Sequence, residues 1–219
     1  MPEVRWYFDP ISPFSWLALP RVEALAATHA VAMRPVVFGA ILSHWGSTGP
    51  AELPAKRVHT YRLCQFLAER EGLPMRFPPR HPFNPLAALR LLTALGAPMP
   101  AVRAVFEFVW AEGRDPSEPG EFAALGARLG AGDPEALANA AAAKAALRAA
   151  TDEAVAAGVF GVPTLLIDGT VFWGADAMPM AERYLADPGM LARGEMARLA
   201  ALPVGVERRG MRGGAPLPP

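Results

Sequence analysis

The chain has 219 residues, 52% of them hydrophobic, so it is long enough to bury a sizeable core as one large domain or as one domain with an insertion. Its 21 basic and 21 acidic side chains balance, which excludes the basic field of a nucleic-acid-binding protein and the polybasic segment of a membrane anchor. Cys64 is the only cysteine, so no intrachain disulfide can form and nothing indicates an oxidising compartment.

The amino terminus enters a strand pattern at once. It has neither the basic head nor the long apolar run of a secretory signal. No apolar run is long enough to cross a bilayer. We therefore expect a cytoplasmic protein with no membrane partner and no nucleic-acid partner.

Two runs rich in strand-forming residues flank an amphipathic stretch in the first 40 residues. VRWYF (4–8) and MRPVVF (33–38) favour strands, and FSWLALPRVEALAATH between them has apolar residues at helical spacing. Pro20 lies early in that helix, where a missing N–H can kink it. The unit is long enough for a right-handed parallel crossover, which predicts β-α-β.

Helical patterns dominate the middle of the chain. The segment 39–54 is rich in Gly, Pro and Ser and predicts a loop. About five helices are predicted from periodicity, and they cover residues 56–70, 86–95, 100–112, 119–129 and 135–158. Asn84–Pro85 and Asp133–Pro134 are typical pairs of cap and first helical residue, and Gly158 is the predicted C-cap of the last helix.

Strand patterns return near the carboxyl end. VPTLLIDGTVFWG (162–174) predicts a hairpin with a tight turn at Asp168–Gly169. Residues 176–185 predict a helix, and GGAPLPP (213–219) predicts a frayed tail. Without the helical block, β-α-β and β-β-α together form the order of a thioredoxin fold. We therefore predict an α/β thioredoxin-like domain of residues 1–40 and 159–200, a helical insertion of residues 41–158 beside the sheet edge, and a tail of residues 201–219.

The turn before the first helix contains S-x-x-S, where many redox enzymes carry C-x-x-C. Its serines are Ser12 and Ser15. A helix N-terminus presents unpaired N–H groups and partial positive charge, which stabilise an oxygen or sulfur anion. The alternative is that either serine simply caps the helix. None of the four histidines lies in a triad or nucleophile-elbow setting, so a serine hydrolase is set aside.

Two further segments suggest ligand contacts. Val162–Pro163 lies directly before a predicted strand, where Pro either starts an edge strand or forms a cis bond. A cis bond facing the helix end would leave the Val162 backbone free to pair with an extended peptide. Asp176 is either the N-cap of its helix or an acceptor for the ammonium group of an amino-acid-like ligand, whose carboxylate the helix N-terminus would bind.

Four segments together resemble the 2-hydroxychromene-2-carboxylate isomerase family. They are YFDPISPFSWLALPRVEAL, HPFNPLAALR, GVFGVPTLLIDG and FWGADAM, in family order and spanning the chain to about Leu185. That family is related to kappa-class glutathione transferases and to thioredoxin-like disulfide oxidoreductases with helical insertions. The resemblance implies glutathione as a catalytic cofactor, a small-molecule substrate and a homodimer.

The resemblance also assigns the glutathione contacts. Ser12 matches the serine that contacts the glutathione sulfur, and Val162, before the cis Pro163, matches the residue that pairs with the cysteinyl backbone. The γ-glutamyl end is assigned to four consecutive residues, Trp173, Gly174, Ala175 and Asp176. Ala175 replaces a polar residue that members of the family often have, so one side-chain contact is expected to be missing.

The remaining candidates concern the glycine end and the second substrate. Lys56 either binds the glycine carboxylate or is a solvated helix lysine. Four residues are candidates for the substrate pocket: Phe14, Trp45, His81 and Asn84. Asn84 also fits a helix cap. No metal site is predicted.

The implied reaction is a cis-trans isomerisation of an aromatic conjugated keto acid. A glutathione thiolate, stabilised by Ser12, would add to the enone and leave after rotation. A kappa-class-like transferase would use the same thiolate but release a conjugate, and a non-catalytic glutathione-binding module would do neither. A disulfide oxidoreductase needs a cysteine at position 12 or 15, and both are serine.

Overall fold

A computed structural model describes residues 2–206 of the chain. Four strands form one mixed sheet in the order β2-β1-β3-β4. Their bounds are β1 Val4–Phe8, β2 Val31–Pro35, β3 Thr164–Ile167 and β4 Thr170–Trp173. The β1 and β2 strands are parallel, whereas the β1–β3 and β3–β4 pairs are antiparallel. The predicted α/β thioredoxin-like fold class is confirmed.

Ten α-helices surround this sheet within residues 2–206. They are α1 Pro13–Ala26, α2 Phe38–His44, α3 Pro54–Arg70, α4 Leu86–Ala94, α5 Met99–Phe106, α6 Pro119–Arg128, α7 Pro134–Asn139, α8 Ala141–Ala156, α9 Met178–Ala186 and α10 Gly194–Leu199. A π-helical turn, Glu107–Ala111, extends α5, and 3-10 turns occupy Pro50–Glu52, Ala175–Ala177 and Pro188–Ala192. No helix in this described range has the length and apolar character needed to cross a bilayer.

The second strand and the loop after it differ from the prediction. β2 spans Val31–Pro35 rather than residues 33–38, because this edge strand pairs with β1 only from Val31 to Pro35. The chain then turns into α2, so the prediction of a plain loop over residues 39–54 was wrong. α2 forms because Ile41 and Leu42 are buried on one face of it, and that tertiary burial outweighs the flanking loop-forming residues.

The Ala-rich run 135–158 was predicted as one helix and is two. Ala140 has an extended backbone, with φ −54° and ψ 136°, between α7 and α8. Residues 36–163, all of which are described, therefore contain seven α-helices rather than about five. Gly158, with φ +79°, directly follows the C-cap of α8. Pro20 lies inside α1 without ending it.

The boundaries at residues 40, 158 and 200 between the sheet domain, the helical insertion and the tail remain a prediction. Residues 207–219, which include the predicted frayed tail 213–219, lie outside the described part of the chain.

The core lies on both faces of β1. Trp6 and Phe8 stack with ring centroids 4.5 Å apart, and both contact Phe106 of α5. Tyr7 points to the opposite face and belongs to a second cluster that includes Val162. Successive side chains of a strand alternate between faces, so β1 is buried on both sides. The turn that contains Ser12 follows the carboxyl end of this central strand.

Packing between α6 and α7 can be tested with a pair of glycines. A Cβ on Gly126 would lie 2.4 Å from Cγ of Pro134, a rigid ring, whereas a Cβ on Gly120 would meet nothing within 4 Å. We expect Gly126→Ala to lower the free energy of unfolding by about 1–2 kcal/mol despite its better helix propensity. Gly120→Ala, in the same helix, should be neutral or stabilise by up to about 1 kcal/mol. Urea denaturation measures both, and equal effects would contradict this packing.

Candidate functional site

Ser12 lies in the turn between β1 and α1. Its Oγ accepts the Ser15 N–H at 3.3 Å, and its own N–H donates to the Asp9 carbonyl at 3.0 Å. Pro13 is the first residue of α1. Ser12 is therefore the N-cap of a 14-residue helix, and its hydroxyl lies where the helix dipole favours an anion.

The structure brings Ser12 and Val162 together across 150 positions of sequence. Ser12 Oγ lies 3.5 Å from the Val162 carbonyl oxygen, a distance too long for a strong hydrogen bond. The Val162–Pro163 bond is cis. Among residues 2–206 the Val162 N–H has no hydrogen-bond acceptor. The Ser12 hydroxyl thus lies next to the Val162 backbone, and the Val162 N–H remains an unused donor within the described residues.

Ser15 does not take part in this arrangement. It is fully buried, and its Oγ has no hydrogen-bond partner within residues 2–206. Its backbone N–H is the group that Ser12 caps. Of the two serines in S-x-x-S, Ser12 is therefore the one that caps the helix. Ser15 is a packed residue of the first helical turn.

The end of β4 contacts the Val162–Pro163 segment. The Gly174 N–H donates to the Pro163 carbonyl at 2.9 Å. Trp173 is half exposed and packs edge-on against Phe160 with ring centroids 5.1 Å apart. A Cβ on Gly161 would lie 2.4 Å from Trp173 Nε1, so the missing side chain lets the indole cover the backbone there.

Asp176 follows on the same surface. It is exposed and lies inside the 3-10 turn Ala175–Ala177. The N-cap of α9 is Ala177, so the helix predicted over residues 176–185 begins two residues later, at Met178, and of the two alternatives for Asp176 the N-cap role is wrong. Ala175 is half-buried against the main core.

The other predicted residues lie in α1, at the end of α2, in α3 and directly before α4. Lys56 is exposed in the first turn of α3. Phe14 is half-buried in α1, two residues after Ser12. Trp45 is the C-cap residue of α2, and its indole Nε1–H donates to the Val159 carbonyl at 2.9 Å. Asn84 is exposed and accepts the Leu86 N–H at 3.1 Å, but the N-cap of α4 is Pro85, one residue later than predicted.

His81 contacts the turn itself. Its Nε2 lies 2.8 Å from the Ile11 carbonyl oxygen, and its Nδ1 lies 2.6 Å from the Tyr61 hydroxyl. Trp110, from the π-helical turn, donates to the neighbouring Pro10 carbonyl at 2.8 Å. Tyr61 and Trp110 were not predicted, because no local pattern links residues 50 to 100 positions apart.

Asp9 is a third residue that the sequence analysis missed. It is fully buried, and its two carboxylate oxygens accept the N–H groups of Ile11 and Phe38, each at 3.0 Å. Burial raises the pKa of Asp9 to about 7, against the opposing effect of these two hydrogen bonds. An acidic residue directly after a buried strand was the available signal. The carboxylate ties the Ser12 turn to the start of α2.

The comparison with known proteins matches this architecture. The family model of the DsbA-like thioredoxin domain covers residues 3–186. The 2-hydroxychromene-2-carboxylate isomerase of Sphingobium xenophagum is 29% identical over 193 residues, which cover 84% of this chain and 98% of that protein. The glutathione S-transferase kappa 2 of Caenorhabditis elegans is 27% identical over 208 residues, which cover 84% and 92%.

A solved structure of a 2-hydroxychromene-2-carboxylate isomerase superposes with a TM-score of 0.71 at 26% identity, over 90% of this chain and 97% of that one. The resemblance to 2-hydroxychromene-2-carboxylate isomerases, predicted from four sequence segments, is therefore confirmed. The relatives of this chain include enzymes of the isomerase and transferase classes. The chain belongs to the DsbA-like thioredoxin domain family.

Proposed function

We propose that this chain is a glutathione-dependent isomerase of aromatic conjugated keto acids similar to 2-hydroxychromene-2-carboxylate. The observation that carries the proposal is the Ser12 hydroxyl, which lies at the N-terminus of α1 and faces the Val162 backbone at 3.5 Å. Similarity to isomerases at 29% identity supports the reaction class. A kappa-class-like transferase is the second candidate, because one relative carries that name.

The predicted contact residues carry groups that can bind a tripeptide thiol. The Val162 N–H, without an acceptor among residues 2–206, can pair with the cysteinyl backbone beside Pro163. The exposed Asp176 carboxylate can accept the γ-glutamyl ammonium group, next to Trp173. Lys56, exposed on α3, is the candidate for the glycine carboxylate. Each contact pairs a backbone or charged group with its chemical complement.

The role of Ser12 is to stabilise a thiolate. A free thiol has a pKa of about 8.5, and lowering it by two units requires about 2.7 kcal/mol. A hydrogen bond to a charged acceptor contributes about 1.5–3 kcal/mol, and the helix dipole adds about 0.3–1 kcal/mol. The Ser12 hydroxyl and the end of α1 are together sufficient, so Ser12 acts as a donor and not as the nucleophile. Bound glutathione would supply a thiolate that adds reversibly to the enone and permits rotation about the former double bond.

We place the enzyme in the cytoplasm as a homodimer acting on a small molecule. The chain carries one buried cysteine and balanced charge. These features suit a reducing compartment and a site built for a ligand thiol.

Titration with glutathione, followed by product analysis, tests the function. We expect calorimetry to detect glutathione binding, and 2-hydroxychromene-2-carboxylate to isomerise while the total free thiol stays constant. S-methylglutathione is the control: it should bind without supporting turnover, because its sulfur cannot form a thiolate.

Other outcomes separate the alternatives. Loss of free thiol with formation of a conjugate would identify a transferase. Binding without turnover on a panel of aromatic enones would identify a non-catalytic module. Absence of glutathione binding would contradict all three.

A further inference from the structure

We infer that His81 is a positioning residue, which together with Tyr61 holds the turn that presents the Ser12 hydroxyl. The sulfur that Ser12 would face comes from the proposed function, on which this role rests. The geometry of the turn does not depend on the proposed function. His81 belongs to the loop between α3 and α4, and its Nε2 contacts the Ile11 carbonyl, 70 positions away in sequence.

The peptide unit between Ile11 and Ser12 is held at both ends. Its carbonyl oxygen lies 2.8 Å from His81 Nε2, and its N–H donates to the Asp9 carbonyl at 3.0 Å. The preceding carbonyl, of Pro10, accepts from Trp110. Rotation of this peptide would break at least one of these bonds. The direction in which the Ser12 side chain leaves the backbone is therefore set by the α3–α4 loop and the π-helical turn, together with the local bond to Asp9.

The contacts also determine the tautomer of His81. A carbonyl oxygen can only accept, so the proton lies on Nε2. In the neutral ring Nδ1 is then an acceptor. The Tyr61 hydroxyl proton has two acceptors within reach, Nδ1 at 2.6 Å and the His81 carbonyl oxygen at 2.9 Å, and Nδ1 is the nearer one. Burial lowers the pKa of His81. The hydrogen bond to Ile11 raises this pKa by less, and the nearby Arg57 charge lowers it slightly further. Tyr61 thus maintains the tautomer whose proton holds the turn.

The surroundings of the ring leave little freedom. Four aromatic side chains lie with ring centroids 5.2 to 6.2 Å from the imidazole: Tyr61, Phe77, Phe83 and Trp110. The neighbouring Arg80 forms an ion pair with the buried Asp115 at 3.1 Å. Both nitrogens of His81 are used inside the protein, so the imidazole is a better candidate for a positioning residue than for the substrate contact that the sequence suggested.

Nitrogen NMR of the histidine-labelled protein tests this role without glutathione. In the wild-type chain at pH 7 we expect the neutral tautomer with the proton on Nε2 of His81, assigned by loss of its signals in His81→Gln. Tyr61→Phe should shift the ring toward a mixture of tautomers, because Nδ1 loses its donor. A proton on Nδ1 in the wild-type protein, or no change in Tyr61→Phe, would overturn the inference.

Kinetics provide the second test. Gln can place an amide donor near the position of Nε2, whereas Leu has none. We expect His81→Leu to lower kcat about 10-fold and to raise the pKa of bound glutathione by about one unit, with glutathione affinity changed less than about threefold. His81→Gln should restore most of both. The exposed His59 gives the matched control, His59→Gln, which should behave as wild type.

The two tests separate this role from the proposed function. Equal behaviour of His81→Gln and His81→Leu would mean that the ring only fills space, and would overturn the inference. If His81→Leu does not fold, the tautomer in the wild-type chain and in Tyr61→Phe decides the question. Absence of turnover in the wild-type protein would contradict the proposed function alone, because the tautomer is measured in the protein without ligand.

Discussion

Ser12→Ala should lower kcat at pH 7 by about 10- to 100-fold and raise the pKa of enzyme-bound glutathione by about one to two units. The hydroxyl lies at the N-terminus of α1, 3.5 Å from the Val162 carbonyl, and can turn its proton toward a sulfur anion. A donor to a charged acceptor contributes about 1.5–3 kcal/mol, which corresponds to this change in pKa. The ultraviolet absorbance of the thiolate, followed against pH in the complex, measures it directly.

The capping role of Ser12 has to be separated from this effect. Loss of an N-cap serine to alanine costs about 1 kcal/mol of stability, whereas glycine costs only about a few tenths. Ser12→Gly should therefore keep nearly all the free energy of unfolding and still show the same decrease in kcat as Ser12→Ala. Ser15→Ala is the matched control, because the buried Ser15 hydroxyl has no partner among residues 2–206. An unchanged thiolate titration in both Ser12 variants would show that the hydroxyl is only a cap.

The elements that could be predicted are those whose signal is local. The run of strand-forming residues in β1, the turn at Asp168–Gly169 and the cap at Ser12 depend on a few neighbouring residues, and the structure contains all three. The break at Ala140 had no such signal, because Ala favours helix on both sides of it. It is explained by the separate packing of α7 and α8 on α4, which a periodicity count cannot detect.

The candidate site divides in the same way. Ser12 and Val162 could be singled out because each lies in a short recognisable segment, and the structure places them 3.5 Å apart. The bonds from His81 and Trp110 to the turn join residues 70 and 100 positions apart. Such contacts leave no spacing in one sequence. Asp9 was overlooked because its importance comes from burial, which is a tertiary property.

Burial of Asp9 predicts an unusual dependence of stability on pH. In the folded chain its pKa is about 7, against an ordinary value of 3.8. Between about pH 4 and pH 7 the unfolded chain has released this proton while the folded chain keeps it, so the unfolded state binds fewer protons. Stability contributed by protonated Asp9 is therefore complete below about pH 4 and is lost as pH rises to about 7. The total change is about 4 kcal/mol.

Asp9→Asn isolates this contribution because an amide does not titrate. The amide has one oxygen to accept hydrogen bonds, so the N–H of either Ile11 or Phe38 loses its partner, and the variant should be less stable at pH 4.5 by about 1–3 kcal/mol. Between pH 4.5 and pH 8 the difference should move in favour of the variant by about 3 kcal/mol. Urea denaturation at several pH values measures it, with Asp152→Asn on the exposed side of α8 as the control for removal of an exposed carboxylate. A constant difference for Asp9→Asn would show that the buried carboxylate is ionised throughout this range. In that case a negative charge would persist beside the turn that we propose holds the thiolate, and the donors at Ser12 and the end of α1 would have to act against it.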